Sequence, residues 1–120
     1  MREVYMLFLV ELDHVKSGLP MPPEAGQDFI EKVILPTLAR GEQLVAEKTI
    51  VAGGPVLGRI ALRFIVEVKS PQEVDQIISS LPIWPLAESR VTPLVGFDDR
   101  RNSVQTLLET LKTRTANSEK

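Results

Sequence analysis

The 120-residue chain contains no cysteine and a single histidine. Without cysteine the protein can form no disulfide, no thiolate metal site and no cysteine nucleophile. A lone histidine with no cluster of imidazole and carboxylate ligands around it argues against a protein-bound transition metal. We therefore expect neither a metal nor another cofactor.

An excess of one charge and long apolar runs are also missing. The 14 basic and 16 acidic residues leave a net charge of -2 and are dispersed along the chain, so no basic surface for nucleic acid is expected. No segment approaches the roughly 20 apolar residues that a membrane helix needs. The apolar amino-terminal run ends in Glu11, Leu12 and Asp13, without the cleavage site of a signal peptide. These absences predict a cytoplasmic protein that binds neither nucleic acid nor membrane.

The apolar sequence that is present suffices for one globular core. Hydrophobic residues make up 43% of the chain and charged residues 25%, as in ordinary soluble domains. Residues 4–12, "VYMLFLVEL", are nearly all apolar, which is typical of a central strand. A helix is predicted from Pro22-Pro23 to about Gly41, or further if Leu44 and Val45 extend it, and Pro36 should kink or split it.

The middle of the chain predicts a β-hairpin. Its strands lie near residues 48–53 and 59–68, and Gly53 and Gly54 are interpreted as turn residues. Alternation along the second strand places a mixed set of residues on the face opposite its apolar ones: Arg59, Ala61, Arg63, Ile65 and Glu67.

A second helix and a last strand follow the hairpin. Ser70 is a predicted N-cap, Pro71 occupies the first helical position, and Glu73 is placed to close a capping box. The last strand is predicted over residues 89–97, where Pro93 favours a sheet edge.

The order of these elements is the βαββαβ pattern of ferredoxin-like α+β folds, with a four-stranded antiparallel sheet. We predict a ferredoxin-like domain over residues 1–98, an extra C-terminal helix over 99–113 and a flexible tail over 114–120. The C-terminal helix carries one apolar stripe, which should pack on its own domain or on a neighbouring subunit: Val104, Leu107, Leu108 and Leu111.

In this fold both helices cover one face of the sheet and leave the other face bare. The first strand is apolar on both faces, so a monomer would expose an apolar row. Two bare faces packed together would bury that row and enclose a pocket. We therefore expect a homodimer or higher homo-oligomer, built as a dimeric α/β barrel around a small-molecule ligand.

Residues 81–85, "LPIWP", place two prolines around the only tryptophan. This motif resembles the "LPLFP" motif of the muconolactone isomerase family. Residues 91–94 ("VTPL"), 6–8 ("MLF") and 65–68 ("IVEV") are similar to other parts of that family, and the resemblance covers roughly residues 6–97. It implies a ferredoxin-like fold and an isomerase of unsaturated lactones.

The reaction implied by this resemblance moves a proton within an unsaturated lactone. It needs a base or acid and a cation for a carboxylate, but no metal. On the bare face Glu67 is the candidate base, Arg63 and Arg90 are candidate carboxylate clamps, and Trp84 is a possible apolar wall. Alternatively, Arg63 and Glu67 form an ion pair between subunits.

His14 is a second candidate for proton transfer, since histidine exchanges protons near neutral pH. It follows Asp13 at the end of the first strand, where a surface histidine without a role is the alternative. Two departures from the family pattern bear on function: Leu9 replaces a histidine, and residues 43–47 ("QLVAE") replace a basic aromatic segment. They point to a different ligand, or to a non-catalytic ligand-binding or oligomeric scaffold protein on the same fold.

Overall fold

A computed structural model describes residues 4–15 and 21–118 of the chain. Its element order is βαββαβ followed by a long helix, which confirms the predicted α+β fold class. The elements are β1 (Met6–His14), α1 (Pro23–Phe29), a π-helical turn (Ile30–Ile34), α2 (Leu35–Ala46), β2 (Ile50–Pro55), β3 (Ala61–Val68), α3 (Pro71–Ser79), a 3-10 turn (Trp84–Leu86), β4 (Ala87–Leu94) and α4 (Phe97–Ser118).

The four strands form one sheet in the order β2-β3-β1-β4, with antiparallel pairing between neighbours. β1 is an inner strand and pairs along its length with β3 and β4. β4 lies at the edge, as Pro93 predicts, because a proline nitrogen has no proton to donate to a further strand. Pro93 lies opposite Phe8 of β1.

Alternation along β1 and β3 decides which face carries the core. The even-numbered residues of both strands point toward the helices, and most of them are buried. The odd-numbered residues Leu7, Leu9 and Ile65 are only half-buried, because no helix covers their face. The core cluster consists of Phe8, Val10, Leu12, Leu44, Ile50, Phe64, Val66, Val68, Val74, Ile77, Ile78, Leu81 and Ile83.

The first helical segment is divided at the π-helical turn Ile30–Ile34, which directly precedes α2. Pro36 removes one backbone donor, so the regular hydrogen-bond pattern cannot pass through it unchanged. The predicted split is therefore present, although α2 continues beyond Gly41 to Ala46. Lys48 reverses the chain after α2 with a positive φ of 65°.

Gly53 and Gly54 belong to β2, so the prediction that they form the hairpin turn is wrong. The turn lies further on, where Gly58 has a φ of 81°. Gly53 has a φ of 97° within the strand, next to a register shift between Ile50 and Ala52. Its backbone lies so close to β3 that an added Cβ would stand 2.2 Å from the Arg63 carbonyl oxygen. A glycine in this sequence therefore marks a bulged, closely packed strand.

The predicted N-terminal cap of α3 is present in modified form. The Ser70 hydroxyl accepts a hydrogen bond from the Glu73 backbone N–H at 3.4 Å. The Glu73 carboxylate accepts one from the Lys69 backbone N–H at 3.1 Å, one residue before the position that a standard capping box uses.

The C-terminal helix α4 runs from Phe97 to Ser118, which extends past the predicted range 99–113 at both ends. It contains no buried residue. Its apolar stripe, which includes Val104 and Leu108, therefore does not pack on its own domain. No helix in the described residues is long and apolar enough to cross a membrane.

The close approach of β2 to β3 predicts effects of different size for two neighbouring glycines. We expect Gly53→Ala to lower the free energy of unfolding by about 2–4 kcal/mol, because its Cβ meets β3 backbone and its φ is positive. Gly54→Ala is the matched control, since its Cβ meets nothing within 4 Å. It should change stability by less than about 1 kcal/mol. Urea denaturation measures both, and equal losses would contradict the assigned bulge.

Candidate functional site

Two adjoining cavities lie between α2 and the helix-covered face of the sheet. The smaller one, called the His14 cavity here, has a volume of about 170 Å³. The larger one, called the Gly41 cavity, has a volume of about 370 Å³. Both are lined largely by apolar side chains. They share four lining residues, Thr37, Leu38, Pro55 and Leu62.

His14 is the last residue of β1 and lies on the helix-covered side, because it continues the even-numbered series. Its Nδ1 atom is buried and has no hydrogen-bond partner among the described residues. The imidazole ring packs against Phe29, with ring centroids 5.0 Å apart. A buried polar atom without a partner costs about 1–3 kcal/mol. His14 therefore retains hydrogen-bonding capacity beside a cavity.

Thr37 places a hydroxyl at the boundary of the two cavities. It is the one buried polar residue in the part of the chain that the structure describes. Its Oγ1 accepts a hydrogen bond from the Ile83 backbone N–H at 3.2 Å. Threonines of α4 such as Thr106 donate to the carbonyl four residues earlier, but no such bond is formed by Thr37 within residues 21–118. Its hydroxyl proton is available to a ligand.

Arg59, in the β2–β3 turn, lines the His14 cavity and also an open cavity on the bare face, beside Asp13 and Arg63. Its Nη2 lies 3.1 Å from Asp13 Oδ1, and its side chain is 54% exposed. Exposure of this extent lets the guanidinium exchange Asp13 for another anion. The His14 cavity thus combines an imidazole and a hydroxyl within apolar walls, with Arg59 among its lining residues although its guanidinium contacts Asp13.

Arg63 lies on the opposite, bare face of the sheet and is already engaged. Its Nη2 donates to both carboxylate oxygens of Asp13, at 3.1 and 3.0 Å. Its Nη1 donates to the Leu62 carbonyl at 2.8 Å, and Nε lies 3.9 Å from Glu11 Oε2. This network holds Arg63 against the sheet.

Arg90 lies beside this network, because Glu11 pairs with Arg63 in β3 and with Arg90 in β4. Arg63 and Arg90 line the same open cavity, of about 320 Å³. Arg90 is exposed and forms no hydrogen bond or ion pair with the other described residues. The structure thus brings together the two predicted carboxylate clamps. Arg63 is bound to acidic side chains of β1, and Arg90 has no partner among the described residues.

Glu67 and Trp84 lie apart from both groups. Glu67 is exposed and lines a groove of about 740 Å³ together with Lys48 and Lys69. Its side chain forms no ion pair with Arg63, and the two residues line different cavities. Trp84 is 43% exposed in the 3-10 turn and lines none of these cavities. Of the five predicted site residues, only Arg63 and Arg90 line one cavity together. His14, Glu67 and Trp84 each lie elsewhere.

A family model described as muconolactone delta-isomerase matches residues 6–99. The chain belongs to the muconolactone delta-isomerase family. The match begins at the first residue of β1 and ends in the first turn of α4, so it includes the whole sheet and both helix-side cavities. It confirms the resemblance drawn from the "LPIWP" segment. No curated protein matches the chain.

Within this muconolactone delta-isomerase family member, sequence reasoning missed Thr37 and Arg59. Thr37 occupies a helical position between Ile34 and Leu44, where an aliphatic residue is the ordinary choice. A polar residue at that position is the feature of the sequence that could have indicated a site. Alternation predicts Arg59 on the bare face, where its guanidinium contacts Asp13 and where it shares a cavity with Arg63. That Arg59 also lines the His14 cavity was not predicted.

No group of three or more histidine, aspartate or glutamate side chains suited to a metal ion occurs within residues 4–15 and 21–118.

The Thr37–Ile83 hydrogen bond is expected to stabilise the folded state of this family member. Thr37→Val removes the acceptor of a buried N–H, so we expect the free energy of unfolding to fall by about 1–3 kcal/mol. Thr37→Ser keeps the hydroxyl and should lose less than the valine variant. Urea denaturation of both variants measures the difference. A valine variant as stable as the parent would show that the bond contributes nothing.

Proposed function

We propose that the protein is a cofactor-free isomerase that transfers a proton within an unsaturated carboxylated or lactone metabolite, in the His14 cavity. The observation that carries the proposal is the buried, unpartnered Nδ1 of a histidine that lines an apolar cavity. Membership in the muconolactone delta-isomerase family supplies the reaction class.

The reaction shifts a double bond by one position. His14 accepts a proton from one end of a three-carbon unit, and the electron pair delocalises onto the conjugated carbonyl oxygen. The resulting imidazolium returns a proton to the carbon at the other end, which restores neutral imidazole and the carbonyl. Histidine suits both half-reactions because neither of its protonation states is costly near neutral pH.

Thr37 and Arg59 stabilise the charges on the substrate. The hydroxyl proton of Thr37 is available to the carbonyl oxygen while negative charge resides on it, and apolar surroundings strengthen such a bond. Arg59 binds a substrate carboxylate in place of Asp13, from which it is 3.1 Å away.

The bare face offers a second location for the same chemistry. There Arg90 is an exposed cation without a partner among the described residues, and Arg63 lies in the same cavity. Glu67 would be the base and Trp84 an apolar wall, as the sequence suggests. This arrangement requires Glu67 to reach a ligand from a separate groove. For this reason we place the reaction at His14.

We also propose that the bare face joins two copies of the chain. Leu7, Leu9 and Ile65 form half-buried apolar positions on this face, and Leu94 at the edge is 36% exposed. Because no helix covers them, a second sheet would remove them from water. The same surface also favours the alternative function, a non-catalytic ligand-binding or oligomeric scaffold protein.

The catalytic proposal is tested by His14→Gln with Glu67→Gln as its matched control. Muconolactone and other butenolides are the probes, and NMR follows the incorporation of solvent deuterium. We expect His14→Gln to reduce kcat at least about 100-fold, the range of general acid–base catalysis, with little change in KM. Glu67→Gln should remain within twofold of the parent.

The opposite pattern would move the reaction to the bare face. If none of the butenolides exchanges a proton with the parent protein, the isomerase proposal fails and the scaffold function is favoured.

The assembly proposal is tested by light scattering at low micromolar concentration. The parent protein should have at least twice the mass of the 13.3 kDa chain. Leu9→Glu places a charge in the apolar row and should shift the protein toward monomer. Leu57→Glu is the control, because Leu57 is 97% exposed in the hairpin turn. A monomeric parent would contradict the dimeric barrel.

A further inference from the structure

The Gly41 cavity exists because a position of α2 that faces the sheet has no side chain. Gly41 lies four residues after Thr37 and three before Leu44, both of which are buried. Residues at these spacings share one face of a helix. A Cβ added at Gly41 would meet nothing within 4 Å. An empty space therefore occupies the place of a core side chain.

A second glycine faces the same space from the sheet. Gly54 of β2 lines the cavity, and a Cβ added there would also meet nothing within 4 Å. Protein interiors are normally packed with few voids, and glycine is unfavourable inside helices. Neither glycine is required by a close contact or by a positive φ, in contrast to Gly53. The two positions leave open a volume that larger residues would fill.

The walls of this cavity are chemically suited to a hydrocarbon group. Apolar side chains from α2, β2, β3 and the end of the α3 segment line it, and Glu42 is its one charged lining residue. The apolar walls include Leu38, Val45, Ile50, Phe64 and Leu81. Thr37 and the exposed Glu42 are its only lining residues with polar side chains, so the space fits the binding of an apolar group.

The Gly41 cavity adjoins the His14 cavity, the proposed reaction site, and shares lining residues with it. The two cavities share Thr37 and Leu38 on α2, and Pro55 and Leu62 on the hairpin. The His14 cavity alone, at about 170 Å³, is smaller than the roughly 300–1,000 Å³ of ordinary small-molecule sites. With the 370 Å³ of the Gly41 cavity added, the combined space falls within that range.

We infer that the substrate is an unsaturated lactone or acid that carries an apolar substituent of several carbons, alkyl or aryl, and that this substituent occupies the Gly41 cavity. This inference rests on the proposed function for the position of the reacting group at His14. Thr37 lies at the boundary of the two cavities. There it contacts the substrate at the junction between the polar reacting part and the apolar substituent.

Binding of saturated γ-alkyl butyrolactones tests this inference without any proton transfer. Calorimetry on the parent protein should show affinity rising about fourfold for each added methylene, the gain expected for burial of a CH₂ group. The series runs from methyl to hexyl. Affinity should level off once the cavity is filled.

Gly41→Leu fills the cavity and should abolish this dependence on chain length, while the γ-methyl compound binds as before. Ala39→Leu is the matched control, since it adds the same side chain to an exposed position of α2. Gly41→Ala guards against misfolding of the leucine variant: it should fold at least as stably as the parent and weaken only the longest compounds. Urea denaturation verifies that each variant is folded.

Affinity that does not vary with chain length in the parent would overturn the inference, as would equal effects of Gly41→Leu and Ala39→Leu. These results are distinguishable from failure of the proposed function. If deuterium exchange depends on His14 but binding ignores chain length, only the inference fails. If binding follows chain length and Gly41 but His14→Gln exchanges protons normally, only the catalytic proposal fails.

Discussion

The double pairing of β1 is the constraint on which the other features depend. β3 and β4 hydrogen-bond to its two edges, so each β1 side chain can point only toward the helices or away from them. Asp13 and His14 are adjacent in sequence and consequently lie on opposite faces. The two locations considered for the reaction are therefore separated by the thickness of one sheet, although their residues are neighbours along the chain.

The "LPIWP" segment has a structural role that bears on the cavities. Leu81 and Ile83 are buried, whereas Trp84 is exposed. The backbone N–H of Ile83 is bound by Thr37, so this segment is fixed against α2. The prolines thus direct a short connection along the edge of the core and leave the tryptophan side chain exposed.

Much of the fold follows from local sequence because the deciding interactions are local. Ser70 caps α3, Pro36 follows the π-helical turn, and Pro93 marks an edge strand. The place of Gly53 within β2 was missed because it depends on how closely β3 approaches, and a sequence motif of two glycines describes a turn equally well. At Gly53 the local sequence pattern predicts a turn, whereas packing against β3 places the residue within a strand.

The candidate site was less predictable than the fold because it depends on strand register. Arg63 and Glu67 share a face of β3, as the alternation of side chains along a strand predicts. Which anion Arg63 binds depends on the residues of β1 beside it, and those are Asp13 and Glu11. Arg63 consequently pairs across strands and not along its own strand. Thr37 and the Gly41 cavity depend likewise on how α2 sits on the sheet.

Asp13 serves two guanidinium groups, one of which belongs to a residue that lines cavities on both faces of the sheet. Its carboxylate contacts Arg59, which lines the His14 cavity as well as the bare-face cavity, and Arg63, which lies on the bare face. An anion that takes Arg59 from Asp13 leaves that carboxylate to Arg63 alone. Conversely, a contact that withdraws Arg63 leaves Asp13 to compete more strongly for Arg59. Occupancy on the two faces is therefore linked through one shared charge, and such linkage acts equally in both directions.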